Sequence, residues 1–199
     1  MYISIGNIKN YNTDELHEFY NEIYEYKKNK INKYIKNNDK LRSIIGELLL
    51  KSILEEKYNI QYKNVIFNVN KYGKPYMDNN NIYFNISHSL DYVICATSNK
   101  EIGIDIEKIR PVNINVVKQF ATENEIKYIL KNSNHTYKHL FEIYTLKEAY
   151  FKMKGTNLNS LKSVEFIINN NQIKCSDSNI IVTLKKDIKN YVIAICEKK

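Results

Sequence analysis

An alternating stretch near the middle of the chain reads Ile102-Gly103-Ile104-Asp105-Ile106-Glu107-Lys108. Because successive side chains of a strand point to opposite faces, this pattern predicts a strand with isoleucines on one face and both Asp105 and Glu107 on the other. Two carboxylates placed side by side raise each other's pKa unless a cation lies between them. The stretch therefore predicts either a cation site or the solvated face of an antiparallel sheet.

A second stretch, Lys147-Glu148-Ala149-Tyr150-Phe151-Lys152, predicts a helix on which Glu148 and Lys152 lie one turn apart. Glu148 continues a stripe that begins with Phe141 and Tyr144, where a core residue is expected, and a carboxylate there needs a partner. Each feature alone has an ordinary explanation, as a solvated strand face or a helical Lys–Glu pair. Together, three acids on a strand and a helix, with lysines nearby, indicate an oxygen-ligated divalent metal that holds a phosphate.

The composition of the chain indicates a folded protein with anionic partners. Its 199 residues are 43% hydrophobic, which is enough for one substantial domain or two small ones. The formal charge of +8 favours coenzymes, acidic proteins or nucleic acid as partners and does not choose among them. Much of the excess lies between Lys27 and Lys40, a stretch whose composition is typical of a solvated loop.

The cysteines and the first residues bear on the cellular location. Cys95, Cys175 and Cys196 are odd in number and lack metal-type spacing, which favours buried free thiols in a reducing compartment. The N-terminal residues lack the pattern of a signal peptide, and no apolar run is long enough to span a bilayer. We therefore expect a cytoplasmic protein that does not bind membranes.

Periodicity and turn residues predict an α+β organisation. The first half is predicted to contain a short opening strand, a helix begun by Asn12, a helix over 39–57, and strands at 65–69, 82–86 and 92–97. Gly73-Lys74-Pro75 predicts a turn between the first two of these strands. The second half is predicted to have helices at 115–120, 123–131 and 137–155, then strands at 164–168, 172–175, 180–184 and 191–196.

The two halves follow the same order of elements. Tyr92-Val93-Ile94 recurs as Tyr191-Val192-Ile193, and the same shift places the helix at Arg42 over the helix near Phe141, which indicates an ancient duplication. We expect two pseudo-symmetric lobes, residues 1–103 and 104–199, each a small antiparallel sheet packed by helices. The active site is expected at the lobe junction, because ligands often bind between domains.

Two further segments connect these features to a known family. They read Tyr72-Gly73-Lys74-Pro75-Tyr76 and Tyr83-Phe84-Asn85-Ile86-Ser87-His88-Ser89. With the alternating strand and the Lys-Glu-Ala-x-x-Lys helix they form four ordered blocks, in which the chain resembles the 4'-phosphopantetheinyl transferases, specifically the broad-specificity, two-lobed, monomeric type that activates surfactin synthetase. The resemblance implies Mg²⁺-dependent transfer of 4'-phosphopantetheine from coenzyme A to a serine of an apo acyl or peptidyl carrier protein, with release of adenosine 3',5'-bisphosphate.

The resemblance also assigns roles to residues of the second lobe. Asp105, Glu107 and Glu148 are the expected magnesium ligands. Glu148 or Glu125 is expected to take the proton of the carrier serine, and Lys152 to contact the diphosphate. Glu125 has a second explanation, because Thr122-Glu123-Asn124-Glu125 is a helix-capping sequence, so we rank Glu148 first.

The first lobe is expected to bind coenzyme A. The residues assigned to this role are Arg42, Lys74, Ser87, His88 and Lys28, with the Arg42 fork at the nucleotide end. The carrier protein is expected to dock on residues 111–120, whose apolar side chains Val112, Ile114, Val116 and Val117 could equally pack inward. Tyr144 stands where the family usually has Trp, and its ring still fills the volume.

Two other classes of function compete with this prediction. A metal-dependent nuclease or phosphatase would use the same acids, although the Asn-Ile-Ser-His-Ser and Lys-Glu-Ala-x-x-Lys blocks argue against it. A non-catalytic module would bind carrier proteins or nucleic acid through its basic surface, although the three intact acids argue against that. We expect a monomer with no nucleic-acid partner. The two-lobed length favours an enzyme of secondary metabolism, and the sequence does not name the carrier protein.

Overall fold

The computed structural model of the chain describes residues 1–78, 81–156, 161–169 and 172–199. Its contacts divide the chain into two compact units, Met1–Asn99 and Lys100–Lys199. The division comes before the strand Ile102–Lys108, not inside it where the sequence analysis placed the lobe boundary. The reason is that this strand pairs along its whole length with the last strand of the second unit.

The first unit is an antiparallel three-stranded sheet covered by helices. Its elements are β1 (Tyr2–Asn7), α1 (Thr13–Tyr20), α2 (Glu25–Asn32), α3 (Asn37–Tyr58), β2 (Phe67–Val69), β3 (Pro75–Met77), β4 (Tyr83–Ser89) and β5 (Tyr92–Ser98). The sheet has the order β1-β5-β4, and β2 and β3 form a separate two-stranded ladder. The 22-residue α3 buries Ile45, Leu50 and Leu54 in the core of this unit, which also contains Phe84 and Val93 from the sheet.

The second unit repeats this plan. Its elements are β6 (Ile102–Lys108), α4 (Val117–Phe120), α5 (Glu123–Leu130), α6 (Thr136–Lys154), β7 (Phe166–Asn169), β8 (Gln172–Cys175), β9 (Ile180–Lys185) and β10 (Tyr191–Lys198). The sheet has the order β6-β10-β9, and β7 pairs with β8. The core of this unit contains Phe141, Ile143 and Leu146 from α6, together with Val192 and Ala194 from β10.

The repeated tripeptide occupies equivalent places in the two units. Tyr92-Val93-Ile94 begins the central strand of the first sheet, and Tyr191-Val192-Ile193 begins the central strand of the second. In each sheet the first strand of the unit lies on one side of the last strand, and the penultimate strand lies on the other. The predicted α+β fold, with two units that each pack helices on a small antiparallel sheet, is therefore confirmed.

Two local predictions were wrong. The basic stretch from Lys27 to Lys40 is not a solvated loop, because it contains most of α2 and the start of α3, and Ile31 on α2 is only 2% exposed. Pro75, the last residue of the predicted turn, begins the short strand β3, which pairs with β2 and was not predicted from the sequence. The α2 helix contains few apolar residues and β3 is only three residues long, so neither element shows a clear periodicity.

Two further observations concern the whole of the described chain. None of the helices in residues 1–78, 81–156, 161–169 and 172–199 combines the length and the apolar character needed to cross a membrane. The three cysteines are free thiols, of which Cys95 and Cys196 are buried and Cys175 is half-buried.

Candidate active site

The site begins with a close crossing of β6 and α6. A Cβ atom on Gly103 would lie 2.0 Å from the carbonyl oxygen of Ala149 and 2.3 Å from the backbone nitrogen of Met153. Strand and helix are therefore in backbone contact, and residues on the same face of β6 as Gly103 face α6. The alternative of a solvated strand face is excluded for Asp105, which lies on that face and is 3% exposed.

This crossing makes Gly103→Ala strongly destabilising. The added methyl group would meet backbone atoms that cannot rotate away, so we expect a loss of about 3 kcal/mol or more in the free energy of unfolding. Urea unfolding measures the loss. Gly6→Ala is the matched control, because its methyl group would meet the Tyr11 side chain, which can move. Equal losses in the two variants would contradict the close crossing.

The acids at this crossing interact with one another and with two cations. Lys152 Nζ lies 2.5 Å from Asp105 Oδ1, and Arg110 Nη1 lies 3.5 Å from Glu107 Oε2. Glu148 is 8% exposed. Burial, followed by the charge of Asp105, raises the pKa of Glu148, while Lys152 opposes the rise. Lys152 thus pairs with the strand carboxylate of Asp105, whereas the helical spacing alone predicted a pair with Glu148.

The donor set of this cluster suits a hard divalent cation. Carboxylate oxygens are the ligands that Mg²⁺ prefers, and Asp105, Glu107 and Glu148 all contribute to the electrostatic environment of the Tyr144 hydroxyl. In the described ranges, no three His, Cys, Asp or Glu side chains are grouped closely enough to hold a metal ion. The three acids match the ion in the type of donor, but their side chains are not close enough to one another to hold it, and Lys152 and Arg110 supply the positive charge beside them.

Tyr144 lies beside the acids, at the position where Trp was expected from the resemblance. Its ring packs edge-on against Phe120, with centroids 5.3 Å apart. Burial and the neighbouring Glu148 carboxylate raise the pKa of its hydroxyl group. The aromatic ring fills the expected volume and places a polar atom near the candidate base.

Glu125 lies in a different environment, a fully buried network that joins three segments. Its Oε2 lies 2.9 Å from Lys147 Nζ, and both side chains are 0% exposed. The same oxygen accepts a hydrogen bond from Thr122 N in a capping box, and Oε1 accepts one of 2.9 Å from Phe166 N. Lys147 also donates to the carbonyl oxygens of Leu161 and Val164. Both Glu125 oxygens therefore have structural partners.

A small cationic pocket lies within the first unit. Its volume is about 160 Å³, and its lining includes Lys27, Lys30, Arg42, Glu47 and His88, together with Tyr24, Tyr26 and Tyr34. Arg42 is held in place on α3, because its Nη1 donates a 2.8 Å hydrogen bond to Leu90 O and its Nη2 pairs with Asp39. The hydrogen bond from Arg42 lowers the pKa of Asp39.

The pocket includes some of the residues expected to bind coenzyme A. Arg42 and His88 line it, and Lys74 lies in the turn between Gly73 and Pro75, which also line it. Ser87 alternates with His88 along β4 and therefore points to the opposite face of the strand. Lys28 instead donates to Asn21 O, at 2.8 Å.

Lys27 and Lys30 are two cationic residues of the pocket that were not predicted from the sequence. They are three residues apart on α2, a spacing that brings side chains onto one face of a helix. The spacing of three residues is visible in the sequence, but it indicates a shared face only if the basic stretch is known to be helical.

The segment expected to receive the carrier protein is partly packed into its own unit. Val117 and Phe120 are 3% and 2% exposed and belong to the core. Val112, Ile114 and Val116 are half-buried against that core. Val117 and Phe120 therefore pack inward, while Val112, Ile114 and Val116 keep part of their apolar surface accessible.

Comparison with known proteins shows the family. Residues 10–100 match the family profile described as the N-terminal part of 4'-phosphopantetheinyl transferase, and residues 101–196 match the 4'-phosphopantetheinyl transferase superfamily. The border between the two matches falls within a residue of the structural division. The chain belongs to the 4'-phosphopantetheinyl transferase superfamily, and the resemblance found in its four motifs is confirmed.

Individual relatives agree with this assignment. The chain is 42% identical to 4'-phosphopantetheinyl transferase gsp of Aneurinibacillus migulanus over 63% of this chain and 53% of that protein. It is 31% identical to 4'-phosphopantetheinyl transferase Sfp of Bacillus subtilis over 73% of this chain and 66% of that protein. The chain thus spans between about half and two thirds of the length of these curated relatives.

A solved structure, that of the Thermotoga maritima holo-[acyl-carrier-protein] synthase, aligns with 50% of this chain and 62% of that chain. The identity is 23% and the TM-score is 0.43.

Proposed function

We propose that the chain transfers 4'-phosphopantetheine from coenzyme A to a serine of an apo acyl or peptidyl carrier protein. The observation that carries the proposal is the buried acid cluster at the crossing of β6 and α6. There Asp105 and Glu148 lie with Lys152 on two of the motifs that define the resemblance. Membership of the superfamily supports the same reaction.

Glu148 is the proposed general base. The serine oxygen forms a bond to the phosphorus next to pantetheine as the bond from that phosphorus to the adenosine bisphosphate breaks. The serine proton goes to the Glu148 carboxylate, whose raised pKa makes it a better proton acceptor near neutral pH. Glu125, whose oxygens both have buried partners, is proposed to have a structural role.

Lys152 is proposed to neutralise the diphosphate. The Lys152 side chain is 29% exposed while it pairs with the nearly buried Asp105, so part of it is accessible to a substrate. The positive charge favours departure of adenosine 3',5'-bisphosphate as its negative charge develops. Arg110, half-exposed beside Glu107, adds to the positive charge near the acids.

Mg²⁺ is the proposed cofactor, held by Asp105, Glu107 and Glu148. When bound, it would supply a Lewis-acid charge that neutralises the coenzyme A diphosphate. The support is the type of donor and the mutual electrostatic effect of the acids. Asp105 and Glu148 are the ligands on which the proposal depends most.

The pocket of the first unit is proposed to bind the nucleotide end of coenzyme A. Lys27, Lys30, Arg42 and His88 line it, and two ammonium groups, a guanidinium and an imidazole suit a terminal phosphate. Lys74 is proposed to contact phosphate from the adjoining turn.

The carrier protein is proposed to dock on residues 111–120, where Val112, Ile114 and Val116 retain accessible apolar surface. The basic charge of +8 complements an acidic carrier. We place the reaction in the cytoplasm, because free thiols are typical of a reducing compartment, and we expect a monomer that does not bind nucleic acid.

The direct test is incubation of the protein with coenzyme A, magnesium and a panel of apo carrier proteins from fatty-acid, polyketide and peptide synthesis. We expect at least one carrier to gain the mass of one phosphopantetheine, which intact-protein mass spectrometry measures. Omission of coenzyme A is the control. A folded protein that modifies none of these carriers would reject the proposal and favour a non-catalytic binding module.

A further inference from the structure

A fully buried carboxylate contributes to the wall of the cationic pocket. Glu47 on α3 is 0% exposed, and its Oε1 lies 2.9 Å from Lys27 Nζ. Its Oε2 accepts a 2.9 Å hydrogen bond from the hydroxyl group of Tyr62. A negative charge beside an anion pocket weakens the attraction for anions, so its presence there needs an explanation.

The second unit contains an ion pair between its corresponding two helices. Lys147 on the long helix α6 pairs with Glu125 on the preceding short helix α5, just as Glu47 on α3 pairs with Lys27 on α2. Each long-helix residue also contacts a 3-10 helix that follows it in the chain. Lys147 donates to Leu161 O of the 3-10 helix Leu161–Ser163, and Glu47 accepts from the hydroxyl group of Tyr62 in the 3-10 helix Tyr62–Asn64. The signs of the two charges are exchanged between the units.

The two pairs differ in their exposure. In the second unit both side chains are 0% exposed, so neither charged group is accessible to a ligand. In the first unit the carboxylate is 0% exposed but the ammonium group belongs to a side chain that is 15% exposed and lines the pocket. The exchange of signs thus puts the cation, and not the acid, where a ligand can reach it.

We propose that Glu47 is a positioning residue for the terminal phosphate of coenzyme A, and that it acts through Lys27. The Lys27 ammonium group forms an ion pair with Glu47, and an ammonium group has three donors with which it can bind a phosphate. Lysine loses much side-chain entropy when it is fixed, and Glu47 fixes Lys27 before the ligand arrives. The inference rests on the proposed function, since it concerns how the same pocket reaches its binding-competent arrangement.

Glu47 also balances two lysines that lie close together. Burial and then the charge of Lys27 lower the pKa of Lys30, and the charge of Glu47 opposes this effect. Tyr62 is 2% exposed and packs against Phe19 and Phe67, so its hydroxyl holds the carboxylate from a rigid part of the core. The arrangement keeps two cations at the pocket without a ligand.

The test is calorimetric titration of the full chain with coenzyme A and with 3'-dephospho-coenzyme A, using the wild type, Glu47→Gln, Lys27→Met and the double variant. Glu47→Gln should weaken the binding of coenzyme A on the order of tenfold and that of the dephosphorylated ligand by less than about twofold. In the Lys27→Met background the same change should cause no further loss of affinity. In carrier modification the KM for coenzyme A should rise while kcat stays within about twofold.

Glu142→Gln is the matched control. Glu142 is 1% exposed and lies between the hydroxyl group of Tyr128 and the ammonium group of Lys186, each 2.5 Å away. This variant should lose thermal stability in the same way as Glu47→Gln, but its affinity for coenzyme A should equal that of the wild type.

Each other outcome has one meaning. If the wild type does not bind coenzyme A, the proposed function is rejected. If the wild type binds coenzyme A, three results would reject the positioning role. Glu47→Gln could bind both ligands as tightly as the wild type does, or it could lose the same affinity for both ligands. It could also cause the same loss of affinity in the Lys27→Met background as in the wild type. If Glu47→Gln does not fold, Tyr62→Phe is used instead, and a selective loss for coenzyme A of about threefold is expected because the carboxylate is held less firmly.

Discussion

Glu148→Gln is expected to reduce carrier modification by about a thousandfold or more, because it removes both the proposed base and a proposed metal ligand. Asp105→Ala should cause a loss of similar size, since Asp105 is the partner of Lys152 and the second acid of the cluster. Rates of carrier modification at saturating coenzyme A, followed by intact mass, measure both effects.

The stability of the Glu148→Gln variant separates a functional role from a structural one. Burial and the charge of Asp105 raise the pKa of Glu148, so the ionised form of this carboxyl group is disfavoured in the folded protein. The free energy of unfolding therefore decreases as the pH rises above the carboxyl pKa of the unfolded chain. An uncharged amide should therefore keep or raise the melting temperature at pH 7. An inactive variant with a clearly lower melting temperature would indicate that Glu148 is structural.

The sequence predicts the fold well wherever an element has an apolar face. The pattern of β6 was read from its isoleucines, and the N-terminus of α5 from Thr122 and Glu125, which form the capping box in the structure. The repeat was inferred from the tripeptide at Tyr92, which recurs at Tyr191. In the structure the tripeptide begins the central strand of each sheet, and these two strands are mostly buried. Where α2 has a single fully buried apolar residue, Ile31, composition alone predicted a loop.

The candidate site was predictable in its residues but not in its pairings. Asp105, Glu148 and Lys152 were found from their spacing, yet the partner of Lys152 depends on the close crossing at Gly103. Such a crossing is a property of two elements distant in sequence, so helical spacing cannot reveal it. For the same reason, nothing local to Glu47 indicated that it lies next to Lys27.

Removal of either partner of the buried pair of Glu125 and Lys147 is expected to cost several kcal/mol of stability and to affect the chemistry little. Removal of one partner from a buried ion pair leaves an uncompensated charge and costs about 3–5 kcal/mol. We therefore expect Lys147→Met to lower the free energy of unfolding by about that amount, and Glu125→Gln by somewhat less, because an amide oxygen can still accept from the backbone of Phe166. Urea unfolding measures both losses.

The double variant and the activity decide between the two roles of Glu125. Because the residues contact each other, the loss in Glu125→Gln/Lys147→Met should be smaller than the sum of the single losses by more than about 1 kcal/mol. At a temperature where it is fully folded, Glu125→Gln should keep its rate of carrier modification within about threefold of the wild type. A folded Glu125→Gln variant as inactive as Glu148→Gln would instead identify Glu125 as the base. The burial of both its oxygens argues against that result, since a group that takes a proton from a carrier serine must be reached by the serine.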